Sequence, residues 1–293
     1  MKPIRAELLL LLVTMFWGSS YLFMKMGLGS LGEFNLIALR FGLAFLLAGG
    51  IFFSRLRSLR WIELKYSMIL GVILFLIFTC ITFGLHTTST SNAGFLVSLT
   101  VVFVPLINAF VLKRKIERKL AVSILLAITG IAFLTLKPPF RVAEGDLLCI
   151  SAALFYAVHI IVVGHAAPKV DTLKLGILQL GFAGLYGLLL SFIYETPTWP
   201  DSLNSWVSIL VLSVLCSAMG FILQVIAQRY TSPARTGLIF SLEPVFAALL
   251  GFVFAHETMS AKGCFGASLV LLSILLSTGR GSHRPSLNKE YGG

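Results

Sequence analysis

Apolar residues run along this chain in blocks, and short polar clusters separate them. A helix rises 1.5 Å per residue, so about 20 apolar residues cross the roughly 30 Å of a bilayer's hydrocarbon core. Ten blocks of that kind are predicted, at about 7–26, 33–53, 66–85, 92–112, 119–136, 145–164, 173–194, 204–227, 235–255 and 262–279. The punctuation between them is turn chemistry: Gly27, Gly29 and Ser30, then Pro138 and Pro139, Pro168, Pro197, Pro200 and Pro233. Alternation with period two is absent, and backbone groups in lipid must be satisfied internally. The blocks therefore read as transmembrane helices and not as barrel strands.

The pattern also repeats. Residues 94–106 and 237–249 share six of thirteen positions at an offset of 143: Gly94/Gly237, Ser98/Ser241, Leu99/Leu242, Val102/Val245, Phe103/Phe246 and Leu106/Leu249. The same offset pairs Thr88 and Ser89 with Thr231 and Ser232, and Lys119 with Lys262. Earlier in each half an offset of 139 pairs Leu8 and Leu9 with Leu147 and Leu148, Phe16 with Phe155, Gly42 with Gly181 and Ala44 with Ala183. Two copies of a helical unit in one membrane chain are the mark of a transporter with its site near the midplane between them.

Composition and charge refine this. The chain is 57% hydrophobic and 12% charged, with mean hydropathy +0.95, against about 25% charged in a soluble domain. The net charge of +11 tracks topology and gives no reason to invoke nucleic acid. One side collects 18 Lys and Arg: residues 2, 5, 55, 57, 60, 65, 113, 114, 115, 118, 119, 169, 174, 229, 235, 280, 284 and 289. The other side has four, Lys25, Lys137, Arg141 and Lys262, and Arg40 is left inside a span. The positive-inside rule then places both termini in the cytoplasm. Five spans per half, an odd number, invert the second copy. The expected architecture is an all-α membrane protein of ten transmembrane helices in two inverted five-helix repeats, 1–139 and 140–280. A disordered cytoplasmic tail, 281–293, follows. Trp17 and the continuing apolar run favour an uncleaved first helix over a signal peptide. Cys80, Cys149, Cys216 and Cys264 lack metal-ligand spacing and read as packing residues.

Several motifs carry a family resemblance. They are Phe16-Trp17-Gly18-Ser19-Ser20, Arg40-Phe41, Tyr230-Thr231-Ser232-Pro233-Ala234, Ser241-Leu242-Glu243-Pro244-Val245-Phe246-Ala247 and His256-Glu257. In this order they resemble the EamA-type proteins of the drug/metabolite transporter superfamily. The resemblance implies export of small metabolites, often amino acids or related compounds, from the bacterial cytoplasm across the inner membrane. It leaves the substrate open, so a multidrug or nucleoside-type exporter of the same fold stays an alternative.

Charged groups inside spans are the sharpest candidates, because one at mid-bilayer costs about 2.5–3.5 kcal/mol on insertion. Arg40 stands seven residues into span 2, about 10 Å from the outer face. It reads as an anchor for a carboxylate or phosphate, or as a structural arginine paired to a carbonyl or acid. Glu243 stands eight residues into span 9, about 12 Å from the cytoplasmic face. Pro244 follows it and cannot continue the ladder, so a kink or broken turn is expected there. Glu243 is then either a protonatable site or the carboxylate that secures the kink. Its repeat partner, Thr100, is uncharged, and no second intramembrane acid is available to pass a proton on. That favours facilitated movement over proton coupling.

Trp17 sits mid-span, and Tyr156 holds the matching place in the second half. Two aromatics facing across the pseudo-axis would wall a midplane cavity, or pack as ordinary helix contacts. His159 lies three residues after Tyr156 on the same face, and Asn108, Gln179 and Gln224 are further polar groups within spans. Each would hydrogen-bond a substrate, or glue helices at about 0.6 kcal/mol per pair. His86, Asn92 and Gln228 fall at span ends and read as caps or solvated groups. Gly176, Gly181, Gly184 and Gly187 in span 7 suggest close helix approach.

The expected partners are a small-molecule substrate and the lipid bilayer, with no nucleic acid, no metal and no cofactor, and the expected state is a monomer. No phosphate-cradling Gly-rich loop, nucleophile elbow or HExxH motif supports ATP-driven or hydrolytic work. An intramembrane lipid-modifying enzyme would need clustered acids or a Ser/His pair within spans. A scaffold would need large soluble segments.

Overall fold

The computed structural model describes residues 3–111, 118–135, 143–231, 233–240, 242–254 and 260–278. Residues 112–117 of the basic turn, Pro138, Pro139, Ser232, Ser241, the His256-Glu257 pair and the tail 281–293 lie outside the described residues. Among the described residues every secondary-structure element is a helix. Helices α1 (Pro3–Gly27), α2 (Glu33–Ile51), α3 (Phe53–Leu56) and α4 (Trp61–Gly84) are followed by α5 (Thr90–Val97), α6 (Thr100–Val111) and α7 (Arg118–Thr135). The second half holds α8 (Glu144–Ala166), α9 (Thr172–Tyr194), α10 (Leu203–Val211), a π-helical turn (Leu212–Met219) and α11 (Gly220–Gln228). It ends with α12 (Pro233–Phe240), α13 (Glu243–Phe254) and α14 (Ala261–Thr278).

Seven stretches are long and apolar enough to span a membrane, two of them formed by consecutive elements: Ile4–Gly27, Glu33–Ile51, Trp61–Gly84, Thr90–Val111, Glu144–Ala166, Thr172–Tyr194 and Leu203–Gln228. Shorter apolar helices add Ala121–Gly130, Glu243–Phe254 and Ala261–Ser273. The faces turned away from the core are themselves apolar, with Leu46, Ile51, Phe192, Leu249 and Phe252 among the exposed side chains. Lipid tails can solvate such a surface and water cannot.

Three predicted spans depart from continuous α-helix. Span 4 breaks at Ser98-Leu99, between α5 and α6, and span 9 breaks between α12 and α13. The two breaks match: α5, α6 and α7 begin and end 143 residues before α12, α13 and α14. At the first break the Ser98 hydroxyl donates to the Phe95 carbonyl at 2.6 Å and the Thr100 hydroxyl to the Val97 carbonyl at 2.7 Å. Those hydroxyls satisfy carbonyls that an interrupted ladder would orphan. At the second break the expected kink lies just ahead of Glu243-Pro244. Pro244 falls in the first turn of α13, where its missing N–H costs nothing. Span 8 contains the π turn. Span 3 starts at Trp61 and not near 66, because Glu63 closes a capping box with Arg60 and meets Lys174 of α9 at 3.4 Å.

Packing joins the two halves throughout. α2 lies along α9, α4 along α8 and α9, and α7 along α14, while α1 contacts α13, α11, α10 and the π turn. Gly18 sets the α1–α13 distance: a Cβ there would fall 2.5 Å from the Phe246 Cβ and 3.0 Å from the Glu243 carbonyl oxygen. The main core gathers Trp17, Tyr21, Phe41, Phe78, Tyr156, Phe221, Phe240 and Ala247 from both halves.

Candidate functional site

Where these helices meet they leave a small cavity of about 20 Å³, room for about one water molecule. α1 contributes Trp17, Ser20 and Tyr21, which share one face because they stand three and four residues apart. α4 adds Ile77, Phe78 and Ile81, and single residues come from α5 (Val97), α8 (Tyr156), α11 (Phe221) and α13 (Glu243). The lining is buried: Trp17 is 3% exposed, Tyr156 5% and Glu243 5%.

Trp17 is the centrepiece. Its ring centroid lies 5.6 Å from Tyr156, 4.8 Å from Phe221 and 4.8 Å from Phe240. Aromatic pairs at such distances add about 0.5–1.5 kcal/mol each beyond burial. The indole Nε1 donates to the Cys216 carbonyl at 2.8 Å. Cys216 lies in the π turn, which departs from the ordinary i→i−4 ladder. Gly220 admits the indole, since a Cβ there would fall 2.6 Å from Nε1.

The polar side of the cavity is Glu243, whose Oε1 accepts a 2.7 Å hydrogen bond from the Tyr21 hydroxyl. The carboxylate opens α13, where the positive end of the helix favours it. Arg40 is fully buried behind Phe78, a ring of the cavity wall. No ion pair joins Arg40 to Glu243 among the described residues. The Arg40 Nε donates to the Ser217 Oγ at 2.7 Å, and Nη1 lies 3.2 Å from the Met24 Sδ. The guanidinium carbon stands 4.0 Å from the centroid of Phe78 and 5.0 Å from that of Phe41. Cation–π contact of this kind stabilises by about 0.5–2 kcal/mol. Nη2 has no hydrogen-bond partner among the described residues.

His159 and Gln179 form a second buried polar group behind the rings. The His159 Nε2 meets the Gln179 Oε1 at 3.0 Å, and the imidazole centroid lies 6.1 Å from Tyr156 and 6.0 Å from Phe221. The His159 Nδ1, Gln179 Nε2, Tyr156 Oη and Gln224 Oε1 lack partners among the described residues.

Of the residues singled out from the sequence, Trp17, Tyr156 and Glu243 line the cavity, and Arg40, His159 and Gln179 stand against or behind its aromatic wall. Pro244 packs with Ala247 over Gly94. Gln224 is buried and donates to Gln228 at 2.9 Å. Gln228 was expected to be a cap or solvated at a span end, but it is buried and donates to the Ile160 carbonyl at 3.2 Å, because α8 covers that end of α11. Asn108 is half-buried on α6 and is not among the lining residues. Ser20, Tyr21, Phe78, Phe221 and Ser217 escaped the sequence reading. Helical spacing from Trp17 would have found Ser20 and Tyr21. Ser217 reaches Arg40 from inside the π turn, which leaves no sequence signal.

Both ends of the bundle are tied. On one, the Glu195 carboxylate accepts from the Phe34 and Asn35 backbone N–H groups at 2.9 and 2.8 Å, capping α2. On the other, Lys174 reaches Glu63 and the Ser58 carbonyl, and Arg235 pairs with Glu7 at 2.8 Å.

The EamA-like transporter family model matches this chain twice, over residues 4–136 and 143–279. An uncharacterized transporter of Archaeoglobus fulgidus is 30% identical over 276 residues, 94% of this chain and 86% of its own. The uncharacterized transporter YoaV of Bacillus subtilis is 24% identical over 279 residues, 91% of this chain and 94% of its own. A solved crystal structure, 18% identical, shares the fold with a TM-score of 0.71 over 95% of this chain and 97% of its own. Apolar spanning helices, a doubled unit and these relatives agree: the chain is a multi-pass membrane protein that belongs to the EamA-like transporter family of the drug/metabolite transporter superfamily.

Proposed function

We propose that the protein is a secondary transporter that exports small amphipathic metabolites, amino acids or related compounds, across the bacterial inner membrane. It works by alternating access through the central cavity, as a monomer, with no cofactor and no catalysed reaction. The observation that carries this reading is the buried aromatic pocket with one carboxylate, lined by helices of both halves; its void of about 20 Å³ takes a solute only when those helices part. Its rings suit the apolar body of a solute, and Glu243, Tyr21 and Ser20 offer polar contacts. Arg40, His159, Gln179 and Gln224 supply further polar groups around it. Asn108 would take part only in a conformation that moves α6.

The ten-span reading, with 1–139 and 140–280 as inverted repeats, both termini and the tail 281–293 in the cytoplasm, is supported by reciprocal contacts. A Cβ at Gly184 would fall 2.7 Å from the Gly42 nitrogen, and one at Gly181 would fall 2.8 Å from the Phe45 Cδ2. The offset of 139 exchanges these two contacts. A Cβ at Gly94 would meet the Pro244 Cα at 3.4 Å and one at Gly237 the Val101 Cα at 3.8 Å, a pair exchanged by the offset of 143. Self-complementary contact is what a two-fold relation produces. Cysteines introduced at 114–118 should label from inside and those at 257–261 from outside.

Counterflow in proteoliposomes against labelled amino acids, nucleosides and cationic drugs tests the function. Trp17→Ala should cut exchange of the accepted class about tenfold or more, the loss of about 1.4 kcal/mol or more. Unchanged exchange in a folded Trp17→Ala protein would overturn the cavity as the path. Nucleosides or cationic drugs as the accepted class would favour the alternative exporters. Uptake is expected to ignore ΔpH both in the wild type and in Glu243→Gln. ΔpH-driven uptake lost only in the variant would make Glu243 a proton site.

A further inference from the structure

Arg40 and Gln179 hold the same place in the two halves. The offset of 139 that pairs Trp17 with Tyr156 carries residue 40 to 179 and residue 20 to 159. Each stands seven residues past the start of its helix, Arg40 in α2 and Gln179 in α9, and the two helices pack on each other. On the inverted topology proposed above, on which this inference rests, α2 starts outside and α9 starts at the cytoplasmic face. The two side chains then lie at similar depths, about 10 Å from opposite faces.

Both are fully buried, and each is half satisfied. Arg40 is held by Ser217 with Nη2 left over. Gln179 is held by His159 with Nε2 left over. Each station flanks a ring that lines the cavity, Phe78 for Arg40 and Phe221 for His159. A buried N–H without an acceptor is costly, and such groups occur where a ligand or water supplies the missing oxygen. A guanidinium fork and an amide N–H share one complementary group, an oxygen acceptor, and the guanidinium selects an anionic one.

We propose that these are two stations for one carboxylate head group. The Gln179–His159 pair takes it from the cytoplasmic side, Arg40 with Ser217 takes it on the outer side, and the apolar body of the solute lies against Trp17 between them. The substrate class is thereby an amphipathic carboxylate. The asymmetry is built in, since the repeat supplies the position twice and only the outer copy is cationic.

The test uses the full chain in nanodiscs with Trp61, Trp199 and Trp206 changed to Phe, so that Trp17 reports alone. 3-Phenylpropionate and its neutral amide are the probes. The acid should shift Trp17 emission at a concentration about tenfold or more below that of the amide. Arg40→Gln should bring the responses to acid and amide to the same concentration range. If Arg40→Gln does not fold, the acid-against-amide ratio of the wild type decides. In oriented proteoliposomes, Gln179→Leu should raise the half-saturating 3-phenylpropionate concentration from the cytoplasmic face and not from the outer face. A merely structural Gln179 would impair both faces alike and overturn its role as a station. Equal responses to acid and amide, or a preference that survives Arg40→Gln, would overturn the head-group inference while leaving the cavity intact. No Trp17 response to either probe would overturn the cavity reading itself, and this inference with it.

Discussion

The two interrupted helices break at equivalent places and carry different chemistry there. In the first half the break is followed by Thr100, whose hydroxyl donates to the Val97 carbonyl and lies 3.1 Å from the Ala153 carbonyl of α8. The one proton of that side chain is thereby committed to backbone carbonyls. In the second half the equivalent residue is Glu243, held by one hydroxyl from Tyr21 and facing the cavity. The neighbours differ to match. α1 approaches α13 through Gly18, whose repeat partner on α8 is Ala157. One pattern of helix bounds thus occurs twice, 143 residues apart. Side-chain substitution turned one copy into a satisfied packing joint and the other into a polar wall. A broken helix in a membrane exposes backbone that must be answered locally, which makes such a joint a natural place to mount function.

Exchanging the chemistry of the two joints tests that contrast. The largest effect is expected from Thr100→Glu. A carboxylate facing the Ala153 carbonyl has no donor to meet it, and a buried unpaired charge costs about 3–5 kcal/mol. Loss of most folded protein on detergent extraction, read by size-exclusion chromatography, is the predicted result. A stable Thr100→Glu protein would mean that the joints are interchangeable. Tyr21→Phe should do less, since it removes one hydrogen bond to a charged group, about 1.5–3 kcal/mol. A lower melting midpoint together with impaired counterflow is expected. A midpoint equal to that of wild type would show that Tyr21 does not hold Glu243. Thr100→Val should be the mildest change, about 0.5–1.5 kcal/mol from one neutral hydrogen bond, with exchange retained. Loss of exchange there would mean that the first joint carries function too.

Much of the scaffold was legible before any coordinates. Apolar blocks and turn residues located the seven long apolar stretches, because lipid imposes a single length scale on a spanning helix. The doubled Ser-Leu motif foretold the matched breaks only in part. Pro244 signals the second, whereas nothing at Ser98-Leu99 marks the first, and Pro105 comes a turn and a half later. Trp17, Tyr156 and Glu243 were findable because a mid-span aromatic or acid is rare in lipid. The π turn was not, since Leu212–Met219 is ordinary helix-forming sequence and its shape answers to Trp17 and Arg40 of the other half. The start of α4 was misjudged for a related reason. Glu63 looks like a span boundary until Arg60 and Lys174 neutralise it, and Lys174 is 111 residues away.

The central claim is that the cavity between Trp17 and Glu243 opens alternately to the two sides of the membrane. Ser20 lines it together with both residues and is 3% exposed. The most direct measurement is the reaction of Ser20→Cys, in a background lacking the four native cysteines, with a membrane-impermeant thiol reagent applied to right-side-out and to inside-out vesicles. The account predicts labelling from either side, at rates well below that of an exposed control such as Trp199→Cys applied on its own side. Labelling from neither side, or from one side only under all conditions, would contradict it.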